Sequence, residues 1–237
     1  MPERKQPAES SHGAGEPSIA ASPASPTCPV CLATHTTHFL QAEPYAYWRC
    51  AHCQATFVSP EQLPTPEAEH AEYRLHQNQE NDAGYRQFLS RLVAPLLAHL
   101  PPAAQGLDYG CGPGPALAAM LTEAGHRVAL FDPLFFNHPQ VLAQRYDFIT
   151  CTEVAEHFHR PAEEFQRLDA LLKPGGVLAL MTRFQTSDAA FAGWHYRRDP
   201  THVVFYREHT LRAVAQRHQW DCLVPCANVV LMFKRAG

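Results

Sequence analysis

Four sets of residues in this chain have the types and the spacing to do chemistry. The first is Cys28-Pro-Val-Cys31, followed after eighteen residues by Cys50-Ala-His-Cys53. Two C-x2-C turns at that separation can present four thiolates to one ion, and the spacing falls in the range of structural zinc sites. A site closed by Cys28, Cys31, Cys50 and Cys53 keeps no open coordination position, so the expected role of the metal is structural. The second set is Leu-Asp-Tyr-Gly-Cys-Gly-Pro-Gly-Pro at residues 107–115. Glycines at alternate positions let a backbone turn sharply and come close to a ligand. Asp108, two residues ahead of Gly110, would repel a pyrophosphate but suits a cationic or amine-bearing ligand. The third is Asp132, twenty residues beyond Gly112, at the end of an apolar run. An acidic side chain there can accept both hydroxyls of a ribose. The fourth is a store of acids, imidazoles and phenols: Glu153, Glu156 and His157, then His195, Tyr196, His202 and Tyr206. His157, His195, His202, Tyr196 and Tyr206 are candidate bases for a proton-bearing acceptor. If a helix carried Glu153, Glu156 and His157 at i, i+3 and i+4, one face could also hold a divalent cation such as Mg2+. A capped helix start with a packed histidine is the plainer and favoured reading of the same three residues.

The elements that must position these residues follow from periodicity. Tyr85, Phe88, Leu89, Leu92, Val93, Leu96 and Leu97 recur at helical spacing, with Pro95 as a kink. Residues 106–108 close a short strand, residues 116–124 form a helix capped by Gly125, and residues 126–131 form a strand. Residues 147–151 and 177–182 are further strands, separated by an amphipathic helix over 162–172 that stops at Lys-Pro-Gly-Gly. A helix over 210–218 and strands near 220–225 and 228–234 close the chain. Strands alternating with helices predict an α/β class: a doubly wound, mostly parallel sheet.

The predicted organisation is a disordered Pro/Ser/Ala-rich tail over 1–27, a zinc ribbon over 28–58, a Pro-rich acidic linker over 59–72 and the main domain over 73–237. A module as small as the ribbon has little core of its own, so metal would contribute much of its folding energy.

The second and third sets resemble the class I S-adenosylmethionine-dependent methyltransferases. The resemblance is carried by Asp108-x-Gly110-x-Gly112-x-Gly114, by Asp132, by Asp147 opening the fourth strand and by Leu171-Leu-Lys-Pro-Gly-Gly176. Thr152-Glu153-Val154-Ala155-Glu156-His157 also resembles the E-x-x-E-H segment of ubiquinone-pathway O-methyltransferases. A ribbon ahead of such a domain is similar to a bacterial arrangement seen with sugar and natural-product methylation. The resemblance implies that Asp108, Gly110, Cys111, Gly112 and Gly114 hold the methionine end of S-adenosylmethionine and that Asp132 takes the ribose. It implies that Pro133 and Leu134 lie against adenine, and that Thr152 and Glu153 border the methyl-transfer site.

One departure from the family stands out. Only fourteen residues separate Asp132 from Asp147, enough for one short helix but not for the usual helix–strand–helix. The third strand is therefore expected to be absent, leaving a six-stranded sheet, with Phe135 and Phe136 either covering adenine or packing on the sheet edge. Trp194 to Tyr206 follow the fifth strand and are expected to cap the acceptor pocket, with Arg197 and Arg198 as anion partners. Tyr73, His76, Asn78, Asp82 and Tyr85 could form a lid.

Composition narrows the partners. The chain has 237 residues, 46% hydrophobic and 18% charged, with a net charge of −4. That balance excludes global disorder and gives no net pull toward nucleic acid. No apolar run approaches the ~18 residues of a membrane span. With no signal-peptide core, a cytoplasmic location with reduced thiols is expected. The leading expectation is a methyltransferase acting on a small-molecule or sugar-like acceptor, most simply at oxygen. An RNA methyltransferase docking through the ribbon, with Arg49, Arg183, Arg197 and Arg198 clustered, is one alternative. A non-catalytic interaction platform on a degenerate fold is another.

Overall fold

A computed structural model describes residues 25–74 and 80–236. Most of the tail, residues 1–24, lies outside these, as do His76 and Asn78 of the expected lid. The described part opens with three antiparallel strands, β1 (Thr36–Ala42), β2 (Tyr45–Cys50) and β3 (Thr56–Val58). The stretch read as a linker holds a 3-10 turn at Pro60–Gln62 and a helix, α1 (Pro66–Tyr73). Thr65 caps that helix by accepting from the Ala68 N–H, and Pro66 sits where its missing N–H costs nothing.

The main sheet is built from β4 (Gln105–Tyr109), β5 (Arg127–Phe131), β6 (Tyr146–Thr152), β7 (Leu172–Met181), β9 (Asp221–Cys226) and β10 (Val229–Phe233). Its order is β5-β4-β6-β7-β10-β9. The pairs among β4, β5, β6 and β7 are parallel, and β10 runs antiparallel to both β7 and β9. Among the described residues the sheet has six strands, as the short interval after Asp132 predicts. That interval holds a tight loop closed by the Asp132–Phe136 backbone pair and one 3-10 turn, Pro139–Ala143.

Alternation along the strands sorts the core into two layers. Phe148, Val177, Ala179, Met181, Val229 and Leu231 face one side, against α2 (Ala83–Leu97) and α3 (Ala116–Glu123). From α2 come Leu89, Leu92, Val93 and Leu96, the i, i+3, i+4, i+7 stripe. Ile149, Cys151, Leu178, Leu180, Val230 and Met232 face the other side, where α4 (Pro161–Leu171) and α6 (Glu208–Arg217) pack. Pro95 lies inside α2 without ending it. Asp147 and Lys173, both in motifs that carried the resemblance, are partners at 2.8 Å, and Asp147 also accepts from the Gln105 N–H. They lock β4, β6 and the start of β7 together and serve as scaffold.

The cysteine-bearing strands join the main domain. After α5 (Asp188–Phe191) and a 3-10 turn at His195–Arg198, the chain forms β8 (Val204–Phe205), which pairs with β3. The second sheet is thus β1-β2-β3-β8, and Val30, Tyr47 and Phe57 share one buried core with Phe191, Phe205 and Tyr206. Arg49 and Arg207 both donate to Asp188, Arg197 donates to the Tyr47 hydroxyl, and Arg217 donates to the Cys31 carbonyl. Arg49 and Arg197 are thereby engaged in joining the two sheets.

Candidate functional site

The glycine loop leaves the carboxyl end of β4, between β5 and β6, where the strand order reverses. Open α/β sheets bind ligands at that position. Gly110 and Gly112 both adopt left-handed backbone, with φ of +78° and +64°. A Cβ on Gly110 would lie 2.5 Å from Val154 Cγ2, so only glycine fits. At Gly112 no atom comes within 4 Å of the Cβ position, so the loop borders open space there. Asp108 lies behind the loop, 3% exposed, accepting from the Thr150 hydroxyl at 2.7 Å. Burial pushes its carboxyl up to about 6 in spite of that hydrogen bond.

Asp132 directly follows β5 and is 8% exposed. One carboxylate oxygen accepts from the Gly112 N–H at 3.0 Å, and the other from the Leu134 and Phe135 N–H groups at 2.9 and 3.1 Å. It therefore pins the glycine loop to the next loop. Of its roughly four lone-pair sites, three are used by the protein.

Beyond β6 the chain turns at Glu153, which holds a left-handed φ of +51°. Such strain in a non-glycine residue collects at functional sites. Ala155–His157 is one 3-10 turn, not the helix on which Glu153, Glu156 and His157 would share a face. Glu156 instead points inward and is fully buried. The turn is fixed from both sides: the Tyr206 hydroxyl donates to the Ala155 carbonyl at 2.9 Å, and the Val203 N–H donates to the Glu156 carbonyl at 2.9 Å. The Tyr196 hydroxyl lies in a short contact with Glu156 and at 3.5 Å from Glu153. Burial pushes Glu153 up to about 8, with the Glu156 carboxylate adding to it, and burial also raises Glu156. Burial lowers His202, which leaves the imidazole neutral at pH 7.

These parts line one cavity of about 770 Å³. At one end lie Gly110, Cys111, Gly112, Asp132, Pro133, Leu134 and Phe135; Thr152 and Glu153 come between; Tyr73, His157, Asp199 and His202 lie at the other. Asp108 and Gly114 are not on the lining. Among the candidate bases His157 and His202 line the cavity, whereas His195 and Tyr206 do not. His195 is held by Arg183 at 2.8 Å, and Tyr206 is fully buried, a positioning residue for the 3-10 turn. Neither Arg197 nor Arg198 reaches the cavity; its basic residues are Arg160 and Arg167. Phe135 lines it and Phe136 does not. Sequence reasoning missed Glu69 and His70 on α1, which also line the cavity, with Glu69 bonded to His159 at 2.9 Å. The Thr65-Pro66 start of α1 was the available signal.

The second site is the cysteine cluster. The four sulfurs lie within 4.8 Å of one another, with Cys28–Cys53 at 3.6 Å and Cys31–Cys50 at 3.5 Å. A tetrahedron with Zn–S bonds of ~2.3 Å has edges of about 3.8 Å, so the cluster has close to the right size. The two knuckles repeat one another. Leu32 N–H bonds the Cys28 carbonyl and Gln54 N–H bonds the Cys50 carbonyl, both at 3.0 Å. Leu32 and Gln54 both take left-handed φ, +63° and +60°, at the position where glycine is usual.

Residues 79–223, more than half of the chain, match the family described as methyltransferase domain. The chain therefore belongs to the methyltransferase-domain family. It is similar to the ubiquinone biosynthesis O-methyltransferase of Serratia proteamaculans (strain 568), 36% identical over 77 residues, 32% of each chain. The enzyme of the same name from Yersinia pestis (strain Pestoides F) is 34% identical over 77 residues, again 32% of each. The match spans about a third of the length of these relatives. Among solved structures, the Burkholderia thailandensis 1,6-didemethyltoxoflavin-N1-methyltransferase, with bound 1,6-didemethyltoxoflavin and S-adenosylhomocysteine, aligns over 79% of this chain and 98% of its own. At 20% identity and a TM-score of 0.50 it shares the fold. No helix among the described residues is long and apolar enough to cross a membrane.

Proposed function

We propose that the chain is a class I S-adenosylmethionine-dependent methyltransferase that methylates a hydroxyl of a small-molecule acceptor. The observation that carries this reading is the cavity itself, which runs from the open backbone at Gly112 past Asp132 to the buried imidazole of His202. The cofactor, when bound, supplies an electrophilic sulfonium methyl group. Gly110, Cys111 and Gly112 hold its methionine end, with Gly114 completing the loop, and the buried Asp108 charge attracts the cationic part from behind. Asp132 accepts from the ribose through its remaining lone-pair site. Pro133, Leu134 and Phe135 lie against adenine on the side where the third strand is missing.

Thr152 and Glu153 border the point of transfer. His157 and His202 face the acceptor and can take its hydroxyl proton. The Nδ1 atoms of both rings lie against carbonyls, Thr201 O at 3.1 Å and Tyr196 O at 2.6 Å, and in His202 this fixes the proton on Nδ1 and leaves Nε2 as the basic nitrogen. Zinc in the four-cysteine cluster holds the β1-β2-β3-β8 sheet, and that sheet carries the segment ending in His202. The test is transfer of a labelled methyl group from S-adenosylmethionine to a panel of hydroxylated aromatic and sugar acceptors. An O–CH3 product in the NMR spectrum is expected. A methyl group found only on nitrogen or carbon would overturn the hydroxyl assignment.

A further inference from the structure

The helix α4 divides its side chains between two tasks. Phe165, Leu168 and Leu171 enter the core under the sheet. Glu163, Glu164 and Arg167 line the cavity, together with Arg160 at the helix N-cap. These four fall at i, i+3, i+4 and i+7, one face of a helix. The transfer chemistry uses none of them. Arg160 and Glu163 lie 3.5 Å apart at the exposed rim. Glu164 is half-buried and held in place. Its Oε2 accepts from the Tyr109 hydroxyl at 2.6 Å, and Arg167 Nη1 lies 3.2 and 3.3 Å from its two oxygens. Burial, and then the bond to Glu164, push the Tyr109 phenol up, so its hydroxyl keeps the proton that it donates.

Tyr109 sets the place of this pair. It directly precedes Gly110, and its ring packs at 5.3 Å on Phe131, the residue before Asp132, and at 6.4 Å on Phe158. Glu164 and Arg167 are thereby held beside the end of the cavity where the nucleoside would lie. The loop beyond Asp132 has no free donor for the polar edge of a base. Pro133 has no N–H, the Leu134 and Phe135 N–H groups donate to Asp132 Oδ1, and the Phe136 N–H donates to the Asp132 carbonyl. The side chains of Pro133, Leu134 and Phe135 are apolar, so that loop can pack on the face of a base. Partners for the base edge must come from another element. Adenine presents an exocyclic amine, a donor, beside ring nitrogens that only accept. A carboxylate only accepts and a guanidinium only donates. Glu164 and Arg167 supply that couple, and Glu164 keeps at least one of its roughly four lone-pair sites free of Tyr109 and Arg167.

We propose that Glu164 and Arg167 read the adenine edge of S-adenosylmethionine and set the base specificity of the cofactor site, an assignment that rests on the methyltransferase reading. The Glu164 carboxylate accepts from the exocyclic amine, and the Arg167 guanidinium donates to the adjacent ring nitrogen. Tyr109 is a positioning residue: its hydroxyl fixes the carboxylate, and its ring ties the pair to the start of the glycine loop. A hypoxanthine ring carries a carbonyl where adenine has the amine. It would set oxygen against the carboxylate and leave both without a proton to share.

The test is a calorimetric titration of the zinc-loaded full chain with S-adenosylhomocysteine and with its deaminated analogue, S-inosylhomocysteine. The wild type should bind the adenosyl compound about 50-fold more tightly. In Glu164→Gln the amide can turn to offer a donor or an acceptor, and the preference should fall to about fivefold or less, with far-UV circular dichroism unchanged. Arg167→Met, at an exposed position, supplies a second variant and should narrow the preference about fivefold. A loss of fold or of loop packing alone would weaken both compounds together and leave their ratio unmoved. Equal affinity of the wild type for the two compounds, or an undiminished preference in both folded variants, would overturn the adenine assignment and leave the methyltransferase reading standing. Failure of the folded wild type to bind either compound would overturn both.

Discussion

The two ends of the cavity are built in opposite ways. The glycine-loop end comes from two short stretches that follow neighbouring strands, residues 109–113 and 131–135, tied together by a single carboxylate at Asp132. The imidazole end is assembled from distant segments: Tyr73 on α1, the Ala155–His157 turn, and Asp199 and His202 ahead of β8. The first end depends on the sheet alone. The second hangs on the cysteine-bearing strands, because β8 pairs with β3 and the Val58 N–H bonds the Val203 carbonyl. A recurring group can be held by a local motif, whereas a pocket that must vary is made from long-range contacts on a separate support.

The sharpest way to break this comparison is Cys50→Ser. Cys50 is fully buried in the core shared by both sheets. Loss of its thiolate should release zinc and cost about 3 kcal/mol or more of stability. Affinity for S-adenosylhomocysteine should stay within roughly fivefold of wild type at low temperature, because the loop end is remote from the lesion. Metal analysis, a thermal melt and calorimetry read the three effects. An equal loss at both ends would mean that the support is common to them.

Asp132→Ala attacks the other end. It removes three backbone partners of the loops together with the ribose contact, so S-adenosylhomocysteine affinity should fall by about 100-fold, ~3 kcal/mol. Unchanged affinity in the folded variant would remove Asp132 from the site.

Asp108→Asn separates stability from binding. The folded-state pKa of Asp108, about 6, is above its unfolded value of 3.8, so the folded state binds the extra proton. Stability from this group is therefore full below the unfolded pKa and is lost as pH rises through about 6. The variant should be more stable than wild type by about 2–3 kcal/mol at pH 7.5, an advantage that fades toward pH 4, while cofactor affinity falls. Denaturant titrations at the two pH values decide it, and a pH-independent difference would contradict the burial argument.

The smallest effect belongs to the knuckles. Leu32 is 51% exposed and pays for a left-handed backbone without packing in return. Leu32→Gly should raise stability by under about 1 kcal/mol, relief of strain less the added chain entropy. A loss of stability would mean that the leucine packs usefully after all.

The same contrast explains what the sequence made legible. The loop end could be read because its determinants are local: glycines at alternate positions, an acid at a strand end, and fourteen residues where a third strand needs more. Strand alternation and the α2 stripe placed the six strands and the helices for the same reason. The imidazole end was legible as a collection of residue types but not as an arrangement. Nothing near His195 or Tyr206 says that one is held by Arg183 and the other buried under Ala155. Nothing near Val204 says that it pairs with Phe57 across nearly 150 residues. The Pro-rich stretch at 59–72 reads as linker by composition, yet α1 forms there and covers the pocket because Thr65 and Pro66 start a helix.

The most direct measurement is a calorimetric titration of the zinc-loaded full chain with S-adenosylhomocysteine. One site with micromolar affinity is the predicted result, since the Gly112 cradle, Asp132 and the Pro133–Phe135 stretch would together hold the nucleoside without a third strand. Absence of binding in a folded, zinc-loaded sample would contradict the account.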